Sequence, residues 1–272
     1  MSSKRLVKNQ LLVILEQLTE RDKAVLAALR THKYLTTNQL QRLYFLGTSN
    51  QAVATRTTNR SLKRLEDQGL IVKLKRRIGG VRAGSAAYVW ALSPAGYRLL
   101  ALLDGDGLTM RKRVYEPSAI FLQHTLAIAE VSIRLIELTR RHKVGLIEQQ
   151  TEPACWRPFA TISGAMTLRP DLFVITSNSH YEDYWFIEVD LATESPAVVV
   201  RKCQQYLTYQ QSGKEQQRYG VFPLVLWIVP DSKRIASLTK HIAKALPADK
   251  DLFIVVTLDQ LESLILDGAS AP

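Results

Sequence analysis

The sequence predicts a mixed α/β protein (α+β overall) in two parts: a small, helix-rich first part, then a larger part on a mixed central sheet. Three observations predict this. Residues 19–103 read as helical patterns followed by two strand-like runs, whereas residues 119–272 read as helix, three strands, helix, strand, helix, strand, helix. Three strands on short links followed by strand–helix alternation imply a sheet with both antiparallel and parallel neighbours. The charge is unevenly shared: residues 1–118 carry 21 Lys and Arg against 8 Asp and Glu, and residues 119–272 carry 15 against 17. Between them lies a polar, Gly-containing stretch, "DGDGLTMRKRVYEPS", residues 104–118, with the composition of a linker.

A chain of 272 residues can bury one large core or two medium ones. Its 46% hydrophobic and 22% charged residues are ordinary for a water-soluble protein. No uninterrupted apolar run nears the roughly 18 residues that span a bilayer, so no membrane partner is expected. The opening "MSSKRLVKNQLLVILEQL" is basic and then apolar, but Glu16 and Gln17 interrupt it and no small-residue cleavage site follows. Residues 1–18 are therefore read as an amphipathic N-terminal helix. The two cysteines, Cys155 and Cys203, provide neither a disulfide framework nor a four-ligand zinc site, and a reducing cytoplasm is expected. The excess of positive charge in the first part points to a polyanionic partner for it.

In residues 19–103, Thr19 is placed to cap a helix that begins at Glu20, with Glu20 and Asp22 in its first turn. Val25, Leu26 and Leu29 form its inward stripe. Thr36 or Thr37 caps a second, short helix bearing Leu40, Leu43 and Tyr44, ended by Gly47. A third helix runs from about Ser49 to Gln68, with Gly69 as its stop. Val53, Leu62 and Leu65 are expected to point inward. Arg56, Arg60 and Lys63 recur at i, i+4, i+7 on another face, beside Thr55 and Asn59. Such a stripe suits a major groove, where these side chains meet base edges and phosphates; a solvated basic face is the alternative. Two strands, 70–77 and 86–92, then flank a Gly-rich basic turn with Lys75, Arg76, Arg77 and Arg82. Three helices followed by a basic-tipped hairpin is the winged helix-turn-helix order. "SLKRLEDQGLI" and "YVWALSPAGYRLL" resemble winged-helix proteins, which implies that the third helix enters the major groove of double-stranded DNA and that the wing touches backbone or minor groove.

The second part, 119–272, opens with a helix to about His142. Ile120, His124, Ala127, Ile128, Val131, Leu135 and Leu138 are its expected apolar stripe, with His124 read as a core histidine. Strands follow at 144–151, 168–176 and 184–191. A helix at 196–211, a strand at 223–230, a helix at 233–246, a strand at 252–258 and a final short helix complete the order. Glu188 and Asp190 are two apart on one strand and so share a face. If that strand pairs with its predecessor as an antiparallel hairpin, Asp171 comes close to both. Three converging carboxylates need a cation or protons, and Mg²⁺ takes such oxygen ligands. The alternative is that Asp171 caps a turn and the other two pair with Lys202 or Arg201.

"RPDLFVI" followed by "FIEVD" and a helix resembles the PD-(D/E)xK, restriction-endonuclease-like superfamily. The resemblance implies that Asp171 and Glu188 hold Mg²⁺, and the endonuclease reading adds Asp190 to that catalytic set. Asp190 stands where that family keeps its lysine, and Lys202 in "VVVRKCQQYLTY" is the migrated candidate. The combination of winged helix, "RPDLFV", "FIEVDLATES" and "RKCQQYL" resembles the replication-relaxation family over roughly residues 19–266. That resemblance implies a DNA-binding accessory or regulatory protein of a plasmid or mobile genetic element. A homodimer is expected because winged-helix proteins often dimerise, with the helix Leu6–Leu18 as the arm, and mobile-element replication or transfer proteins are the candidate partners. The alternatives are a metal-dependent DNA endonuclease or nickase and, more weakly, a ligand-sensing transcription factor.

Overall fold

A computed structural model describes residues 6–45, 50–75, 88–105, 116–142, 144–162, 164–178 and 181–268. Gly47, the turn residues Arg76, Arg77 and Arg82, and most of the 104–118 stretch lie outside those residues. The fold is mixed α/β with a mixed central sheet, and the chain forms two compact units, Met1–Ile133 and Arg134–Pro272.

The first unit begins with α1 (Lys8–Gln17) and α2 (Glu20–His32). Thr19 caps α2 through a reciprocal box: its hydroxyl accepts from the Asp22 amide at 3.2 Å, and the Asp22 carboxylate accepts from the Thr19 amide at 3.0 Å. The same box recurs at α3 (Thr37–Tyr44), between Thr36 and Gln39. Asn50 caps α4 (Gln51–Asp67), and Gly69 turns the chain out of it at φ 72°, where a Cβ is strained. Strands β1 (Leu35–Thr36), β2 (Ile71–Lys73) and β3 (Val89–Leu92) form an antiparallel sheet in the order β1-β3-β2. The core joins Val25, Leu26 and Leu29 of α2 to Leu40, Leu62 and Leu65, all fully buried. Val53, expected inward, is 39% exposed; the buried face of α4 runs Ala54, Thr58, Leu62, Leu65 instead.

The "SPAG" phrase has a physical explanation. The Ser93 hydroxyl accepts from the amides of Ala95 and Gly96, capping α5 (Pro94–Leu103), and donates to the Gly69 carbonyl at 2.5 Å. Pro94 fills the first helical position, where no amide is missed. A Cβ on Gly96 would sit 2.2 Å from the Leu70 carbonyl oxygen, so glycine is what lets α5 press on the strand entry.

Helix α6 (Ala119–Arg141) contributes to both units, which divide between Ile133 and Arg134. In the first unit, Leu122 and Leu126 pack with Leu74, Val89 and Ala91, and the Arg42 guanidinium holds Glu130 at 2.6 and 2.9 Å. The inward stripe there is rotated from the expected one: Ile120 is 66% exposed and His124 only half-buried, while Thr125 and Ala129 are buried. By length and mean hydropathy α6 is the one described helix that could cross a bilayer, yet half of that stretch is buried inside the protein.

In the second unit β4 (Gly145–Thr151), β7 (Leu172–Ser177) and β8 (Glu182–Val189) pair antiparallel, while β8, β9 (Leu224–Val229) and β10 (Phe253–Thr257) pair parallel. The sheet order is β10-β9-β8-β7-β4. Helices α7 (Pro196–Gln210) and α9 (Ser232–Ala245) cover one face, where Phe173, Phe186, Tyr206, Trp227 and Leu238 share a core. Trp185, Phe186 and Ile187 on β8 are fully buried, each worth about 2 kcal/mol of transfer free energy. Sequence reasoning missed the hairpin β5 (Arg157–Thr161) and β6 (Gly164–Leu168) and the short helix α8 (Lys214–Tyr219); Leu168 ends β6 and does not begin β7. A buried ion pair, Arg157 to Glu215 at 2.7 Å, ties the hairpin's root to α8, and the Tyr209 hydroxyl donates to the same carboxylate. The short helix α10 (Leu261–Asp267) closes the described chain.

Gly96→Ala is expected to destabilise the first unit by about 2 kcal/mol, the cost of overpacking against backbone that cannot retreat. Urea unfolding followed by circular dichroism checks it. An unchanged midpoint would show that the α5 contact has room.

Candidate functional site

Two groups of residues merit attention, and the first is the exposed face of α4. Thr55, Arg56, Asn59, Arg60 and Lys63 all lie on exposed positions of that helix. No ion pair joins Arg56 or Arg60 to another described residue. Lys63 differs, since its ammonium sits 2.7 Å from Asp67 and 3.6 Å from Glu66, and the hydrogen bond to Asp67 followed by its charge raises its pKa. Thr55 turns its hydroxyl back to the Gln51 carbonyl at 2.9 Å. Lys75 is exposed just beyond β2. On its other flank α4 is anchored by Arg64, whose guanidinium meets both oxygens of the buried Asp22 at 2.6 Å. The α2 capping carboxylate therefore also fixes the angle of α4. Sequence reading assigned Asp22 to the helix dipole alone, because a partner 42 residues away leaves no local signal.

The second group lies at the end of β8. The register pairs Leu172 with Ile187, so Asp171 falls opposite Glu188, as the hairpin expectation required. The Asp171 amide donates to the Ile187 carbonyl at 3.2 Å, and its carboxylate accepts from the Val189 amide at 2.8 Å. It thus extends the β7–β8 ladder beyond its last backbone pair. Glu188 is 1% exposed, and each of its oxygens has a donor: the Lys202 ammonium on one and the Tyr206 hydroxyl on the other, both at 2.5 Å. Burial pushes the Glu188 carboxyl up to about 7, against the pull of Lys202 and with a further push from Asp171. Burial alone would lower the Lys202 ammonium, but Glu188 and then Asp171 outweigh it and its pKa is raised. Burial and the Glu188 charge raise Tyr206 well above the ordinary phenol, so it serves as a donor. Lys202 and Tyr206 are one turn apart on α7, so both reach Glu188 on β8.

Asp190 faces a different partner. Its Oδ1 accepts from the Ala192 amide at 2.9 Å and its Oδ2 from Arg234 Nε at 2.5 Å. The first bond is an Asx-type turn that supports Ala192 at φ 58°, a left-handed conformation that costs about 1 kcal/mol for alanine. Arg234 also donates to the Glu194 carbonyl at 2.8 Å, so it clamps the segment after β8 onto α9. Asp190 thus acts as a turn-former with a buried ion pair.

The arrangement does not fit a resident Mg²⁺. A hard cation needs several carboxylate oxygens turned to one point. Here both Glu188 oxygens are engaged by donors, Asp171 is engaged by a backbone amide, and Asp190 by Arg234. Among the described residues no group of three His, Cys, Asp or Glu side chains could hold a metal ion. Cys155 and Cys203 are buried, and burial pushes both thiols up to about 12, so neither is poised as a nucleophile.

Removing one partner of the Asp190–Arg234 pair leaves a largely buried charge alone, which costs roughly 3 kcal/mol. Asp190→Ala and Arg234→Ala are each expected to lose about that much in urea unfolding, and the double variant little more than either. Additive losses would mean that the two side chains are not coupled.

Among known proteins, the model of the family described as replication-relaxation matches residues 26–225, whereas no curated protein and no solved structure matches the chain. The matched stretch takes in α3, α4, the β2–β3 ladder, α6 and the β7–β8–α7 segment that carries Asp171, Glu188 and Lys202. The chain belongs to the replication-relaxation family, whose membership points to a role in plasmid or mobile-element replication or relaxation.

Proposed function

We propose that this protein is a DNA-binding accessory or regulatory factor of a plasmid or mobile element, which recognises duplex DNA through a winged helix in its first unit. The observation that carries the reading is the face of α4, where Arg56, Asn59 and Arg60 stand exposed on a helix anchored by Asp22–Arg64. The order α2, β1, α3, α4, β2, β3 and the antiparallel β1-β3-β2 sheet support a winged helix. In this reading Arg56 and Arg60 contact phosphates or guanine edges, and Asn59 suits an adenine edge. Lys63, Lys75, Arg76, Arg77 and Arg82 add phosphate contacts, with Lys63 weakened by its acidic neighbours. The protein acts as a homodimer, and the exposed Val7 at the N-cap of α1 with Leu12 and Val13 on the helix are the apolar surface that supports this. It works beside replication or transfer proteins in the cytoplasm.

The second unit is read as a restriction-endonuclease-like scaffold. Asp171 and Glu188 at the end of one hairpin, with Lys202 on the next helix, support that descent. The closure of Glu188 by Lys202 and Tyr206 favours a scaffold over a nickase.

The test uses the full chain and a duplex of roughly 30 base pairs in fluorescence anisotropy across a salt series. Arg56→Ala and Arg60→Ala should each weaken binding and lower the slope of log K against log salt by about one. Parent-like affinity in both variants would remove α4 as the reader.

A further inference from the structure

The exposed face of α9 has no role in the reading above. Its sequence, SKRIASLTKHIAKA, contains four Lys and Arg and no Asp or Glu. Lys233, Lys240 and Lys244 recur at i, i+7 and i+11, within about 40° of one another around the helix. They are exposed, and they lie opposite the buried Leu238 and Ile242. None of the three forms an ion pair with another described residue. Arg234, the remaining cation, is taken by Asp190 and the Glu194 carbonyl.

A solvated lysine face is ordinary, but the alignment of three exposed cations in one row sets this one apart. Acids outnumber bases in residues 119–272, at 17 to 15, yet the lysine row stays clear of them. Lys233 also lies in the first turn of α9, where the helix dipole disfavours a cation. The Asp231 carboxylate at the N-cap, which accepts from the Arg234 amide at 2.8 Å, offsets that cost.

We propose that Lys233, Lys240 and Lys244 form a second, sequence-independent contact surface for the phosphate backbone of double-stranded DNA. The row spans roughly 16 Å along the helix, a length over which one strand of a duplex presents about five phosphates. Lysines in a row, without an amide or guanidinium fork, bind point charges and read no bases. The proposal rests on DNA being the partner of the whole chain, and it adds contacts that are independent of α4.

The experiment takes the full chain carrying Lys233→Gln, Lys240→Gln and Lys244→Gln together, with a random-sequence duplex of roughly 30 base pairs in anisotropy from low to moderate salt. The salt slope should fall by about 2.7, with affinity at low salt roughly tenfold or more weaker. Arginine at the same three positions should restore the parent slope. An unchanged slope in the glutamine variant, with binding lost in Arg56→Ala and Arg60→Ala, overturns this inference and leaves the α4 reading intact. The reverse pattern supports the α9 surface and removes α4. Loss of binding to phosphatidylglycerol vesicles with DNA binding unchanged would also overturn it. Because all three side chains are exposed, the thermal midpoint should not move.

Discussion

A carboxylate buried at the carboxyl end of a central strand is costly, and the second unit is arranged around meeting that cost at Glu188. Removing a carboxylate from water disfavours its charge strongly unless donors replace the lost hydration. Lys202 and Tyr206 supply those donors from successive turns of α7, which fixes that helix in register with β8. Asp171 keeps the β7–β8 ladder closed beside it, so the strand end cannot splay. Burial raises Glu188, whereas the charges of Glu188 and Asp171 raise Lys202 against its own burial, so each partner holds the other. What looks from composition like a triad awaiting a cation is a set of acids each already answered by a donor.

This bears on how the family's residues are used. Asp190 occupies the place of a catalytic lysine in the nuclease pattern, and its bonds to Ala192 and Arg234 give it another task. It bends the chain out of β8 and pins that bend to α9. A lysine there would face Arg234 and leave the Ala192 amide without its acceptor. Asp190 therefore ties the turn after β8 to the helix that follows β9.

Much of this was legible from local pattern. Thr19 and Thr36 announce helix starts because a cap satisfies amides within three residues, and the structure uses both. The mutual approach of Asp171 and Glu188 followed from strand pairing alone. Long-range partners did not show: Arg64 with Asp22, Arg42 with Glu130 and Arg234 with Asp190 join residues 42, 88 and 44 apart. The β5–β6 hairpin was missed because "RPFATISGAMTL" has small residues and weak alternation in place of a β-branched run. The face of α6 was misplaced at its start because Ile120 and Phe121 are apolar yet exposed, with Lys33 over the Phe121 ring. Periodicity treats every apolar residue as inward, and only the neighbours decide.

The central claim is that protein donors occupy both oxygens of Glu188, an arrangement that does not fit a resident cation. The most direct measurement is Mn²⁺ titration of the full chain by electron paramagnetic resonance, run with a nicking assay on supercoiled plasmid. The account predicts no saturable Mn²⁺ site in the millimolar range and no nicking at stoichiometric protein. A saturable site with plasmid nicking, both abolished in Asp171→Ala, would contradict it.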